Sequence, residues 1–252
     1  MKVNRLLLVF LAYLAFFIFQ TIFLLLYKYI FDVKPSSTYF IPFISALSYT
    51  ILIFILKRLL KFKISRRLNL NGRLLILLSF ISIIFIVIQP ITVPINFIEN
   101  LNKGLFITTS FKSSYNFLSI DFFYYLAIIV VANPILEELF FRKIMITEIN
   151  NKFGAFGAVL VSSLLFSVVH LEVNQMQSAF VVGVVLGYIY LKTNNVTITI
   201  LLHMLFNFGV YITKDSLVTL SSQYYYLLLY PVLAIVLYYL IKQIVKANPS
   251  ER

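Results

Sequence analysis

From Leu6 to Tyr27 the chain runs apolar almost without interruption, and runs of this kind recur along its whole length. A helix needs about 20 apolar residues to cross the hydrocarbon core of a bilayer. On that ruler the sequence predicts eight spans, at 6–27, 39–56, 74–98, 122–145, 156–172, 178–192, 196–213 and 223–242. The runs are continuous rather than alternating. That pattern points to helices and not to a barrel, because spanning backbone must satisfy its own hydrogen bonds. Composition agrees: 61% of residues are hydrophobic and 12% are charged, against roughly 25% charged in soluble domains. The expected fold is an all-α integral membrane protein of about eight transmembrane helices, a single polytopic domain over residues 1–252. The first run exceeds a signal-peptide core of about 7–15 residues, and no small-x-small cleavage site follows it. It reads as a retained helix.

The net charge of +12 is not a nucleic-acid signal in such a chain. Basic residues of membrane proteins set orientation and contact anionic lipid. The segment between the second and third spans carries Lys57, Arg58, Lys61, Lys63, Arg66, Arg67 and Arg73. Placing it in the cytoplasm puts both termini there, with Arg142, Lys143, Lys152, Lys192, Lys242, Lys246 and Arg252 on the same side. Lys28, Lys34, Lys103, Lys112 and Lys214 then fall outside. Cysteine is absent, which excludes disulfides and thiolate metal sites. Gly183 and Gly187 form a small-xxx-small pair on one helix face, a sign of close helix packing.

Against this background a few polar residues inside the spans stand out. A charge near the bilayer centre costs about 2.5–3.5 kcal/mol even on lenient insertion scales. Yet Glu137 and Glu138 sit side by side in an apolar run, and both histidines of the chain, His170 and His203, lie in apolar runs too. On a helix Glu138 and Arg142 are neighbours on one face. Glu137 points about 100° away and is left without a local partner. One carboxylate held by arginine and one able to titrate divides positioning from proton transfer. The blander alternative makes the pair a helix-end marker with Arg142 and Lys143 snorkelling to the interface. Phe166 and His170 share a face, as do His203 and Asn207, whose imidazole and amide can both donate to an oxygen. Each of these groups has a plain alternative as a hydrogen-bonded bridge between helices. At 1.5 Å rise per residue, Glu137, His170, His203 and Asn207 fall in a similar slab, roughly 10–21 Å from their span ends. The expectation is a shared polar, water-filled cavity between the fourth, fifth and seventh spans.

The ordered set Glu137-Glu138-x-x-x-Arg142, Phe166-x-x-x-His170 and His203-x-x-x-Asn207 resembles the three motifs of the CPBP family. That family, also called Abi, comprises CAAX prenyl proteases and bacteriocin-processing enzymes. The resemblance covers roughly residues 120–212, and Pro134 also fits its pattern. It implies an eight-helix intramembrane endopeptidase whose site opens toward the cytoplasm. It further implies that Glu137 and His170 activate the attacking water, that Glu138 and Arg142 hold and tune Glu137, and that His203 and Asn207 stabilise the oxyanion. No cofactor is expected. The alternative is a zinc ion on Glu137, His170 and His203, although the HExxH spacing is absent. The expected partners are membrane lipid and a small hydrophobic peptide or membrane-anchored substrate, with no nucleic acid. A bacterial cell membrane is the expected setting, with bacteriocin immunity or peptide maturation as family roles. The competing function classes are a non-catalytic membrane scaffold or regulator of the same fold, and a small proton-coupled transporter. The transporter reading lacks the internal repeats that mark many such proteins.

Overall fold

The computed structural model describes residues 4–31, 40–62, 71–88, 119–170, 173–220 and 230–249. Every regular element among them is a helix. We number them α1 Arg5–Phe31, α2 Phe40–Leu60, α3 Gly72–Ile88, α4 Ile120–Val168 with a break at Gly154, α5 Val173–Thr193, α6 Val196–Leu220 and α7 Tyr230–Ala247. Runs within five of them, α1, α2, α4, α5 and α6, are long and apolar enough to cross a membrane, and α3 is a shorter apolar helix. The protein is an all-α membrane protein. Parts of the expected map lie outside the described residues: 89–98 of the third span, 171–172, 223–229, and the basic residues Lys34, Lys63, Arg66, Arg67, Lys103, Lys112 and Arg252.

The sequence places a connection between spans ending at 145 and starting at 156. The structure keeps two helices here and narrows the connection to Gly154, at φ 76° and ψ 173°. That backbone region is essentially closed to residues with a Cβ. One glycine therefore replaces a loop.

The chain divides into two compact units, the first built from 1–64 and 109–158 and the second from 65–108 and 159–252. In the first unit α1 and α2 pack on each other and on the Leu126–Ile146 part of α4. Leu6, Val9, Tyr13 and Phe16 are buried at the three- and four-residue spacing of one helix face. Leu7, Leu11, Leu14 and Ile18 on the other face are about half exposed. An outward face that is itself apolar is what lipid selects. On α2, Tyr49, Leu52, Ile53 and Leu56 form the inward stripe. Arg5 closes one end of the unit. Its Nη2 donates to the Leu60 carbonyl at 3.0 Å and pairs with Glu148 Oε1 at 3.0 Å. The start of α1, the end of α2 and residue 148 therefore meet at one end, beside Lys57 and Arg58 in the last turn of α2.

In the second unit α3 packs on α6 and α7, and α5 packs on the same two helices. The core is Leu74, Leu78, Ile81 and Phe85 against Val182, Leu186 and Ile189, with Leu202 and Ile244. The turn from α5 to α6 is short because its side chains replace missing helical bonds. Asn195 Oδ1 accepts the Thr197 N–H at 3.0 Å, and Thr193 Oγ1 accepts the Asn195 N–H at 3.3 Å. Asn194 supplies the positive φ, 48°, that the reversal needs. Gly183 of α5 lies against the C-terminal arm of α4. A Cβ at Gly183 would stand 3.2 Å from Ser163 Cα and 3.1 Å from Ser163 Cβ, and backbone cannot swing aside. Gly183→Val is expected to destabilise by about 1–3 kcal/mol through overpacking, read as a lower unfolding midpoint in detergent.

Candidate active site

The carboxylates are set by a local departure from α-helix. Pro134 has no N–H and cannot bond the carbonyl four residues earlier. Upstream of it, Leu126–Ala132 adopts the wider π-helical turn, in which the Asn133 N–H donates to the Ile128 carbonyl. A second π-helical stretch begins at Glu138 and runs to Ile146. The junction of α and π turns falls between the two glutamates. Such wide turns inside helices concentrate at functional sites.

Glu138 and Arg142 are both fully buried, and Glu137 is nearly so. Arg142 Nε lies 3.1 Å from Glu138 Oε2. The snorkelling alternative for Arg142 does not hold, because no part of its side chain reaches the surface of the protein. Glu137 is not isolated either: it lies close enough to Arg142 for its charge to bear on the guanidinium beside that of Glu138. A one-helix wheel misses this because the guanidinium presents five donors in a planar fork and can serve two carboxylates. Around the charges stands an aromatic wall. Phe140 and Phe141 contact each other at 5.1 Å between ring centroids. Tyr13 of α1 lies 6.3 Å from each of them. Tyr49 of α2 lies 6.0 Å from Phe140 and 6.2 Å from Phe141. Neither tyrosine carries a motif. The signal for Tyr49 was the polar triplet Ser48-Tyr49-Thr50 in mid-span.

The imidazoles are gathered in the second unit, around Phe166. The sequence puts His170 on the same helix as Phe166, but α4 ends at Val168 and His170 lies in the turn beyond it. The His170 N–H donates to the Ser167 carbonyl at 3.1 Å. Its ring Nδ1 takes the Phe166 carbonyl at 2.9 Å, so the side chain satisfies an orphan carbonyl at the helix end. A carbonyl only accepts, so Nδ1 carries a proton, leaving Nε2 to face outward from the helix end. The Phe166 ring sits 4.9 Å from His170 and 5.8 Å from His203, near perpendicular to both at 77° and 85°. One buried phenyl thus orients both imidazoles. His203 is buried on α6, and Asn207, one turn further on, is partly exposed. Within either unit, among the described residues, no three His, Asp or Glu side chains group as a metal site.

Residues 119–209 match the family model described as Rce1-like, "Type II CAAX prenyl endopeptidase Rce1-like". The chain is 34% identical over 84 residues to the "Putative membrane peptidase YdiL" of Bacillus subtilis (strain 168), covering 33% of this chain and 34% of that protein. It is 34% identical over 83 residues to the "Membrane-embedded CAAX protease MroQ" of Staphylococcus aureus (strain USA300), covering 31% of this chain and 34% of that one. The chain thus spans about a third of the length of the curated relatives it matches. No solved structure matches it significantly.

Proposed function

We propose that this chain, whose residues 119–209 match the Rce1-like family model, hydrolyses peptide bonds within the membrane. The substrate class is a small hydrophobic peptide or a membrane-anchored polypeptide. The observation that carries the reading is the Glu137-Glu138-Arg142 group, buried in an apolar helix at a cost that only a use would justify. The names of the two relatives, a peptidase and a CAAX protease, agree with it.

In this reading Glu137, His170, His203 and Asn207 divide the steps of the hydrolysis among them. The Glu137 carboxylate accepts a proton from water, and His170 Nε2 accepts the hydrogen bond of the other water proton. The water oxygen attacks the scissile carbonyl carbon. His203 and Asn207 donate to the oxyanion that forms. When the carbon–nitrogen bond breaks, protonated Glu137 returns its proton to the leaving amine. Glu138 and Arg142 keep the Glu137 carboxylate fixed and its charge balanced. The site opens to the cytoplasmic side, where both termini also lie.

This chemistry needs no metal. Preincubation with 1,10-phenanthroline or EDTA is expected to leave the cleavage rate unchanged. A loss that zinc restores would instead assign Glu137, His170 and His203 to a zinc shell. The function itself is tested by comparing membrane peptides from cells carrying the wild-type chain with those carrying Glu137→Ala. Fragments present only with the wild type are expected, and they identify the cut bond. Identical peptide sets, with full complementation of a deletion strain by Glu137→Ala, would leave the scaffold reading in its place.

A further inference from the structure

We propose that Tyr49 is a positioning residue for the Glu137 carboxylate, its hydroxyl being the donor that faces Glu137 from α2. The inference deepens the proteolytic reading and rests on it for its catalytic consequence.

Tyr49 is fully buried in the first unit. Its ring is held by Phe16 of α1 at 4.2 Å and by Phe140 and Phe141 of α4, which lie in sequence between Leu139 and Arg142. A ring held on several faces can move its oxygen only by small rotations. Among the described residues that hydroxyl has no hydrogen-bond partner. Its neighbours in sequence show why this is unusual. Ser48 Oγ donates to the Ile44 carbonyl at 2.6 Å, and Thr50 Oγ1 donates to the Ala46 carbonyl at 2.8 Å. Short hydroxyl side chains return to their own helix, whereas a phenol is too long to do so. A buried hydroxyl without a partner is a net cost, and phenylalanine would pack the same space without it.

Within electrostatic reach of this buried oxygen lie Glu137, Tyr13 and Arg142. Of these, Glu137 accepts hydrogen bonds and Arg142 does not. Tyr13 is itself a donor as well as an acceptor, so the carboxylate is the stronger attractor for a phenolic proton. The segment Asn133–Glu137 packs directly on α2, so the carboxylate and the phenol belong to touching elements. The hydroxyl donates to Glu137 by a small rotation or across one water, holding the carboxylate as a base turned toward its substrate.

The test uses the full chain reconstituted in lipid vesicles with carbon-13-labelled glutamate. The Glu137 carboxylate band in the infrared spectrum is identified as the band lost in Glu137→Gln. Tyr49→Phe is expected to shift that band while the unfolding midpoint stays within a few degrees of wild type. An unmoved band overturns the proposal, whatever the fate of activity. If Tyr49→Phe unfolds in detergent, Tyr49→3-fluorotyrosine keeps the shape while strengthening the donor, and the band must move in it. Cleavage of a fluorogenic apolar peptide by the same preparations supplies the second readout. Tyr49→Phe is expected to lower kcat by about 10- to 100-fold with KM unchanged, the loss of one hydrogen bond to a charged group. An unchanged kcat in Tyr49→Phe, with Glu137→Gln inactive, also overturns the proposal. Equal cleavage by wild type and Glu137→Gln would remove the proteolytic reading instead, and the infrared result would still decide whether Tyr49 holds Glu137.

Discussion

Glu137→Gln is expected to reduce cleavage by at least about 10²–10⁴-fold, the range a positioned general base contributes. Glutamine keeps the shape and a hydrogen-bonding end but cannot take the proton from water. The protein should stay folded, because removing the Glu137 charge leaves the Arg142–Glu138 ion pair at 3.1 Å intact. Single-turnover cleavage by purified protein in vesicles reads the effect, and elution as a single species in detergent shows that the fold survives. Since the change acts on the chemical step, kcat should fall with little movement in KM. A variant as fast as wild type would remove Glu137 from the chemistry.

The second large effect is on stability. Arg142→Met leaves Glu138 fully buried without its guanidinium. Losing one partner of a buried ion pair costs about 3–5 kcal/mol. Arg142→Lys should recover only part of this, because an ammonium cannot serve two carboxylates in one plane. Replacing both members, with Arg142→Met and Glu138→Leu together, should return most of the lost stability, since a well-packed apolar pair is often neutral. That double variant should nevertheless stay inactive, because the Arg142 charge also acts on Glu137. Denaturant unfolding in micelles and cleavage in vesicles are measured on the same three variants. Recovery of stability without recovery of activity separates the supporting role of the pair from a merely structural one. Recovery of both would confine the pair to holding the fold.

Much of the architecture was legible because lipid imposes length. The runs at 6–27, 39–56 and 196–213 fall on α1, α2 and α6, since a continuous apolar segment has few options but a helix. The break between the spans ending at 145 and starting at 156 is present, but only at Gly154: Asn150, Asn151 and Lys152, which read as a loop, continue the first helix. Polarity marks exposure, and an exposed helical turn looks like a loop in sequence. Within the site, the Glu138–Arg142 pairing was legible from the four-residue spacing. The π-helical turns were not, because they answer to Pro134 and to packing rather than to periodicity. His170 was assigned to the helix because the apolar pattern continues past Val168, whereas its own ring caps the helix end. For Tyr49 the polar triplet Ser48-Tyr49-Thr50 marks the place in sequence, but its contact with Phe140 of another helix is not written in any pattern within one helix.

The proposed mechanism requires Glu137 and His170 to act on the same water. The chain has no cysteine, so introduced thiols report without background. Cysteines at positions 137 and 170 should be joined by a short bifunctional methanethiosulfonate in native membranes. The positive control is a cysteine pair replacing Arg5 and Glu148, whose side chains meet at 3.0 Å. Cross-linking of both pairs is the predicted result. A control that joins while positions 137 and 170 do not would contradict the account at its base.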